Sequence, residues 1–176
     1  EVELTPEQKK IYTQIKDYAI AELESNEIVS VSSVLTQILR LHQVTCGFVK
    51  HDEGEEIEIK NNRLEELLKV LEEVQGKTII WANYQYDIKR ILRTLHDAVA
   101  TYYGGTPEDE RQGIIDRFQD PDSSLQYLIS NTQTGGYGIT LHQASNVVYY
   151  SNNYDLEKRL QSEDRAHRIG QVNKVT

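Results

Sequence analysis

The sequence predicts an α/β fold built on a parallel sheet and preceded by an all-helical segment. Three patterns predict it. Over residues 62–176, short runs rich in β-branched and aromatic residues alternate with amphipathic stretches of about a dozen residues, as β-α-β units with right-handed crossovers do. Over residues 1–50 the apolar positions recur at helical spacing only. Turn signals at Gly76, Thr106-Pro107 and Asp120-Pro121 separate the stretches.

Taken in order, Thr5, Pro6 and Gln8 have the form of a capping box with proline at the first helical position. Ile11, Ile15, Tyr18 and Ala19 then give the first helix an apolar face. Val34, Leu35, Ile38 and Leu39 mark a second helix that ends near Gly47. Residues 51–61 read as an acidic loop around Gly54. His51 beside Asp52 and Glu53 suggests a metal site on paper, but nothing apolar flanks it to fix a geometry, and a solvated loop is the better reading. Asn62 and Glu65 open a third helix with the stripe Leu64, Leu67, Leu68, Leu71 and Val74, closed at Gly76. Lys77–Ala82 is the first strand, followed by a helix through Ile88, Ile91, Leu92 and Leu95 and a strand over Ala98–Tyr103. Thr106-Pro107 opens a helix that turns Ile114, Ile115 and Phe118 inward. Leu125–Ser130 and Asn146–Tyr150 are two more strands. A last helix spans Leu156–His167, and a fifth strand begins at Val172.

Composition narrows the function classes. At roughly 150 residues per domain, a chain of 176 residues makes one domain with a small appendage. It can bury about 70% of its unfolded surface without a disulfide staple. Nineteen basic against twenty-eight acidic residues leave a net charge of −9, which excludes a simple basic nucleic-acid-binding tail or coat. Any polyanion must be met by a local patch against the global field. The single cysteine, Cys46, cannot form an internal disulfide. No apolar run approaches the ~18 residues of a membrane span, and no signal peptide opens the chain. Glu1 in place of methionine, and an apolar alternation that has just begun at Val175, lead us to expect a soluble, intracellular fragment of a longer protein.

Parallel sheets bind ligands at the carboxyl ends of their strands. The loop after Ser130 carries Gly135, Gly136 and Gly138, which allow backbone to approach a phosphate closely, with Thr132 and Thr134 as hydroxyl donors. A plain tight turn would explain the glycines as well. In the last helix Arg165 and Arg168 stand at i and i+3, a spacing that can fork around a polyphosphate and steady charge on a transferred phosphoryl group. Gln161, four residues before Arg165, could hold a phosphate oxygen or an attacking water. An exposed helix with Glu163 and Asp164 neutralising the arginines fits the spacing equally well. Gly76-Lys77-Thr78 imitates the end of a P-loop, but Leu71 stands where the first glycine is required, and the tripeptide precedes a strand. The Asp52-Glu53 pair lacks the apolar strand of a magnesium-binding box. The chain has arginines suited to a nucleotide and nothing to cradle its phosphates or magnesium.

These residues form a known constellation. Gln161–Gln171 resembles, without a mismatch, motif VI of the Swi/Snf family of helicase-like ATPases, Q-x-x-D-R-A-H-R-I-G-Q. Thr132–Leu141 resembles motif V, Lys77–Asn83 motif IV, and Tyr103–Thr106 with Arg111 and Phe118 the segment after it. Together they cover residues 62–176, and Thr5–Phe48 is similar to the helical region that joins the family's two lobes. Tyr154 and Leu156 stand where tryptophan and proline are common, Thr140 where asparagine is frequent, and Asn83-Tyr84 where motif IV often has serine and glutamine or glutamate. The short linkers suggest a bacterial or phage member, acting in the cytoplasm of a bacterial or phage-infected cell.

The resemblance implies a three-layer RecA-like fold, the second of two lobes, with ATP and Mg2+ held mainly by the first lobe and double-stranded DNA tracked by both. It implies Arg168 as the arginine finger, Arg165 as its phosphate-binding partner oriented by Asp164, and Gln161, Gly136 and Gly138 near the nucleotide. It implies backbone contacts to DNA from Asn83, Gly104, Gly105, Thr132 and Thr134, without sequence preference. Two rival functions compete with this one. A dinucleotide enzyme fails because the glycine cluster is not G-x-G-x-x-G. A non-catalytic interaction or nucleic-acid-binding domain on the same fold sits poorly with the intact arginine pair.

Overall fold

The computed structural model describes residues 2–24, 31–50, 54–135, 139–166 and 175, and the chain divides into two compact units, Glu1–Leu68 and Lys69–Thr176.

The first unit holds helices α1 (Pro6–Glu24) and α2 (Val31–Cys46) and a ribbon of strands β1 (Phe48–Lys50) and β2 (Glu56–Glu58). The capping box forms: Thr5 N–H donates to Gln8 Oε1 at 3.0 Å, and Gln8 N–H donates to Thr5 Oγ1 at 3.3 Å. Gln8 is buried, and its Nε2 donates to the Val44 carbonyl at 2.8 Å, so the residue that caps α1 also ties it to the end of α2. Gly47, at φ 88°, ends α2 in the left-handed region. The acidic loop expected over residues 51–61 contains β2, which pairs antiparallel with β1, Phe48 opposite Glu58. Glu56, Ile57 and Glu58 are all exposed, so no alternation of burial marks the strand in the sequence. Backbone pairing alone defines it, continued where Ile59 N–H donates to the Gly47 carbonyl. Val44, Cys46, Phe48, Ile59 and Leu67 are the unit's buried apolar residues among those described. Both helices form, but Tyr18, Leu35, Ile38 and Leu39 of their apolar stripes stay exposed.

The unit boundary falls within helix α3 (Arg63–Glu73). Beyond it the chain alternates: β3 (Lys77–Trp81), α4 (Gln85–Leu95), β4 (Val99–Tyr102), α5 (Glu108–Gln119), β5 (Tyr127–Ser130), a single turn α6 (Thr132–Gly135), β6 (Ala144–Tyr149) and α7 (Leu156–Glu163). The four strands make one parallel sheet in the order β4-β5-β3-β6. All five residues of β3 are buried, as its central place demands. Ile79 and Trp81 lie on one face in a core with Tyr102, Ile114, Ile115, Phe118 and Leu128. Ile80 points to the opposite face by strand alternation, and Ile88 and Ile91 of α4 are buried outside that core. Helix α7 ends at Glu163 and a turn follows over 164–166, where the periodicity predicts helix to His167. The fifth strand expected from Val172 lies outside the described residues, although Val175 packs against the core.

The imitation P-loop has a structural role. Lys77 is 9% exposed, and its Nζ donates to the carbonyls of Asp120 (2.7 Å) and Arg117 (3.3 Å) and lies over the Phe118 ring. It caps the open carbonyl end of α5. Burial lowers its pKa, and the carboxylate of Asp120 opposes that shift.

Candidate functional site at the carboxyl edge of the sheet

Four parallel strands end side by side, so the loops after β3, β4, β5 and β6 share one edge. The chain after β6 organises two of the others. Ser151 Oγ accepts from Asn83 N–H at 2.8 Å and donates to Asp87 Oδ2 at 3.1 Å, with Ser151 and Asp87 both buried. Two residues on, Asn153 Nδ2 donates to Thr132 Oγ1 at 2.9 Å. A cleft of about 630 Å3 opens here, with Asn83, Gln133, Asn153 and Lys158 among its walls. Asp155 caps α7 by accepting from Lys158 N–H at 3.2 Å, and that bond holds its carboxyl below the usual range. Thr134 N–H donates to Asn131 Oδ1 at 2.9 Å, shaping the turn α6. Of the residues expected at DNA, Asn83 lines the cleft and Thr132 is bonded to its wall through Asn153, while Thr134 stands in the adjoining turn α6. Gly104 and Gly105 lie after β4 on the same edge but do not line this cleft.

Of the residues expected at the nucleotide, Gln161 lies in α7 and Arg165 in the turn that follows it. Arg165 is 7% exposed, and its Nη1 donates to the Ile139 carbonyl at 3.3 Å. In return the Arg165 carbonyl accepts from Leu141 N–H at 3.1 Å, so one residue of motif VI grips motif V at two points. Gln161 donates from Nε2 to Glu157 Oε1 at 2.9 Å. A carboxylate only accepts, which fixes the amide orientation. Its Oε1 is then buried without a partner among the described residues. Helix α7 is held on β6 by Tyr149, whose hydroxyl meets Ser162 Oγ at 2.6 Å and whose ring stacks under the Arg159 guanidinium. Burial raises the Tyr149 pKa against those hydrogen bonds. Gly136, Gly138 and Arg168 lie outside the described residues, as does the His51–Glu53 stretch.

Residues 59–170 match the family model described as helicase conserved C-terminal domain. The chain belongs to that family. This helicase C-terminal lobe is of the Swi/Snf type. It is 28% identical to the ATP-dependent helicase FUN30 of Saccharomyces cerevisiae over 182 residues, covering 94% of this chain and 16% of that protein. It is 37% identical to the ATP-dependent helicase fft2 of Schizosaccharomyces pombe over 116 residues, covering 64% of the chain and 9% of that protein. The lobe thus spans a small part of these relatives. The crystal structure of the C-terminal part of the Fun30 ATPase domain aligns with TM-score 0.59 at 30% identity, over 66% of this chain and 39% of that one. The Sulfolobus solfataricus SWI2/SNF2 ATPase core in complex with dsDNA aligns with TM-score 0.73 over 99% of this chain and 38% of that one. At 23% identity it speaks for the fold alone.

Sequence reasoning missed Asp87, Ser151, Asn153 and Gln119, whose Nε2 donates to the Thr140 carbonyl of motif V at 2.9 Å. One signal was present. Asp87 stands four residues before Ile91, on the apolar stripe of α4, where a carboxylate must have a buried partner. Ser151 and Asn153 are polar residues at loop positions and Gln119 is the last residue of α5, and composition singles out none of them. Among the described residues no group of three or more His, Cys, Asp or Glu could hold a metal ion. No described helix is long and apolar enough to cross a membrane.

Proposed function

We propose that this lobe is the second motor lobe of an ATP-dependent DNA translocase or helicase-like protein. In this reading residues 1–50 join the lobes, 51–61 are a connecting ribbon and loop, and 62–176 are the RecA-like lobe. A first lobe of the same protein holds ATP and Mg2+. The observation that carries the reading is the double grip of Arg165 on Ile139 and Leu141, which sets motifs V and VI against one another.

The side chains fit the phosphate end of a nucleotide rather than its cradle. Arg168 is the arginine finger, meeting the nucleotide when the lobes close. Arg165 supports it from the adjoining turn, with Asp164 orienting the pair and Gly136 and Gly138 bringing backbone close. Bound ATP supplies the phosphoryl group, and magnesium supplies charge neutralisation. The unpartnered Gln161 Oε1 is an acceptor, so it suits the attacking water, a donor, better than a phosphate oxygen. Asn83, Thr132, Thr134 and the Gly104-Gly105 turn contact the backbone of double-stranded DNA without reading sequence.

The test is Arg168→Ala in the protein joined to its first lobe. DNA-stimulated turnover should fall roughly a thousandfold or more, with a much smaller loss of ATP affinity and DNA binding nearly unchanged. Arg168→Lys should fail almost as badly, because an ammonium cannot form the guanidinium fork. Normal turnover in Arg168→Ala would end the finger assignment. The 176-residue chain alone should hydrolyse no ATP above background and should bind duplexes weakly and without sequence preference. Its slope of log affinity against log salt should be on the order of −2 to −4. Tight binding that discriminates between two unrelated duplexes would contradict the backbone reading.

A further inference from the structure

We propose that Asn153 is a positioning residue that turns the Thr132 hydroxyl proton away from itself, so that Thr132, bonded to the wall of the cleft, donates to a phosphate oxygen. The inference rests on the reading that Thr132 touches the DNA backbone.

The orientation of the Asn153 carboxamide follows from its neighbours. Asp155 N–H donates to Asn153 Oδ1 at 3.1 Å, and a backbone amide can only donate. The opposite atom, facing Thr132 Oγ1 at 2.9 Å, is therefore Nδ2, which can only donate in turn. A threonine hydroxyl has one proton to give and two lone pairs to receive. One lone pair is filled by Asn153, and the hydroxyl proton cannot point back along that bond. Among the described residues no acceptor takes this proton, although Thr132 is only 7% exposed. A hydroxyl held in this way keeps its one proton for an outside acceptor. Asn153 lines the cleft with Asn83, Gln133 and Lys158. The cation of Lys158 adds attraction for a phosphate, although it also lies 3.3 Å from the Asp155 carboxylate.

The isosteric change Asn153→Asp isolates this effect. A carboxylate keeps an acceptor for Asp155 N–H, so the turn before α7 is retained. On the other side it presents an acceptor to Thr132, which then turns its proton inward.

The experiment is a double-mutant cycle on the 176-residue chain, read as affinity for a short fluorescent duplex, with melting temperature checked for each variant. Asn153→Asp and Thr132→Val should each weaken binding about tenfold, the loss of a hydrogen bond to a charged group. In the Thr132→Val background Asn153→Asp should cost no more than about twofold. Asn153→Ala, which adds no charge, should show a smaller loss that also vanishes in that background, and it carries the cycle if the aspartate variant does not fold. An equal cost of Asn153→Asp in both backgrounds would mean that it acts through charge or packing, and the proposal falls. If Thr132→Val weakens binding and neither Asn153 variant does, the proposal falls while the Thr132 contact stands. If Thr132→Val binds as the parent does, the contact and the proposal fall together.

Discussion

Replacing Gln119 with alanine tests how motif V is held in place. Gln119 ends α5, and its side chain makes three contacts with the segment that follows the glycine loop. Its Nε2 donates to the Thr140 carbonyl at 2.9 Å and lies 2.9 Å from His142 Nδ1, while its Oε1 accepts from Gln143 N–H at 3.1 Å. At about 1 kcal/mol net per bond the upper bound is about 3 kcal/mol, and because water reaches this half-exposed segment about 2 kcal/mol is the better figure. In a chain of this size that lowers the melting temperature by about 4–8 °C. Amide exchange should quicken at Gln143, whose N–H loses its acceptor. Gln119→Glu separates the contacts: it keeps the acceptor for Gln143 but sets a carboxylate against the Thr140 carbonyl. It should be at least as unstable as the alanine variant at neutral pH, and should recover as acid protonates it into a donor. If Gln119→Ala melts within about 1 °C of the parent and exchange at Gln143 is unchanged, the clasp does not hold the segment.

Lys77→Met keeps the aliphatic stem and removes the charged donor from the Arg117 and Asp120 carbonyls; about 2 kcal/mol should be lost, and a neutral or stabilising result in denaturant titration would refute the cap. His42 has its pKa lowered from the ordinary 6.5, first by burial and then by the nearby Arg63 cation. The folded state therefore binds fewer protons than the unfolded state just below that value. The stability His42 contributes is complete above pH 6.5 and is lost as pH falls toward the folded-state pKa. Denaturant titrations at about pH 7.5 and about pH 5 should differ less for His42→Gln than for the parent, and an unchanged difference would refute the burial argument.

The parallel sheet was legible because its strands carry their own evidence. β3 is buried at every position and carries the apolar run Ile79–Ala82 after Lys77 and Thr78, and the helices around it keep a 3.6-residue stripe. Caps were legible where one side chain serves one backbone group nearby, as at Thr5 and Gln8. β2 was not legible, because a strand held only by backbone bonds leaves no side-chain pattern. The turn α6 is too short to show a period. At the site, motif VI announced its arginines but not their surroundings. The sequence places Arg165 on a helical face, whereas the chain has left the helix by Asp164 and turns the guanidinium to the Ile139 carbonyl. Partners 26 residues apart in sequence are set by the crossover through β6, which no local pattern records.

The same crossover gives the loop after β6 its importance. β6 lies beside β3 in the sheet and follows β5 in the chain, so the residues just past its end reach the loops of both neighbours. Ser151 binds the backbone of Asn83 after β3, and Asn153 binds the side chain of Thr132 after β5. From there Asp155 starts α7, which ends at the turn where Arg165 grips the far side of motif V. Motif V is thus held at Thr132 from one end of α7 and at Ile139 and Leu141 from the other. A shift of α7 along its axis would have to break the Asn153 bond, the Arg165 grip or both. Thr132, proposed for DNA, and Arg165, proposed for the nucleotide, are therefore tied to opposite ends of one short helix.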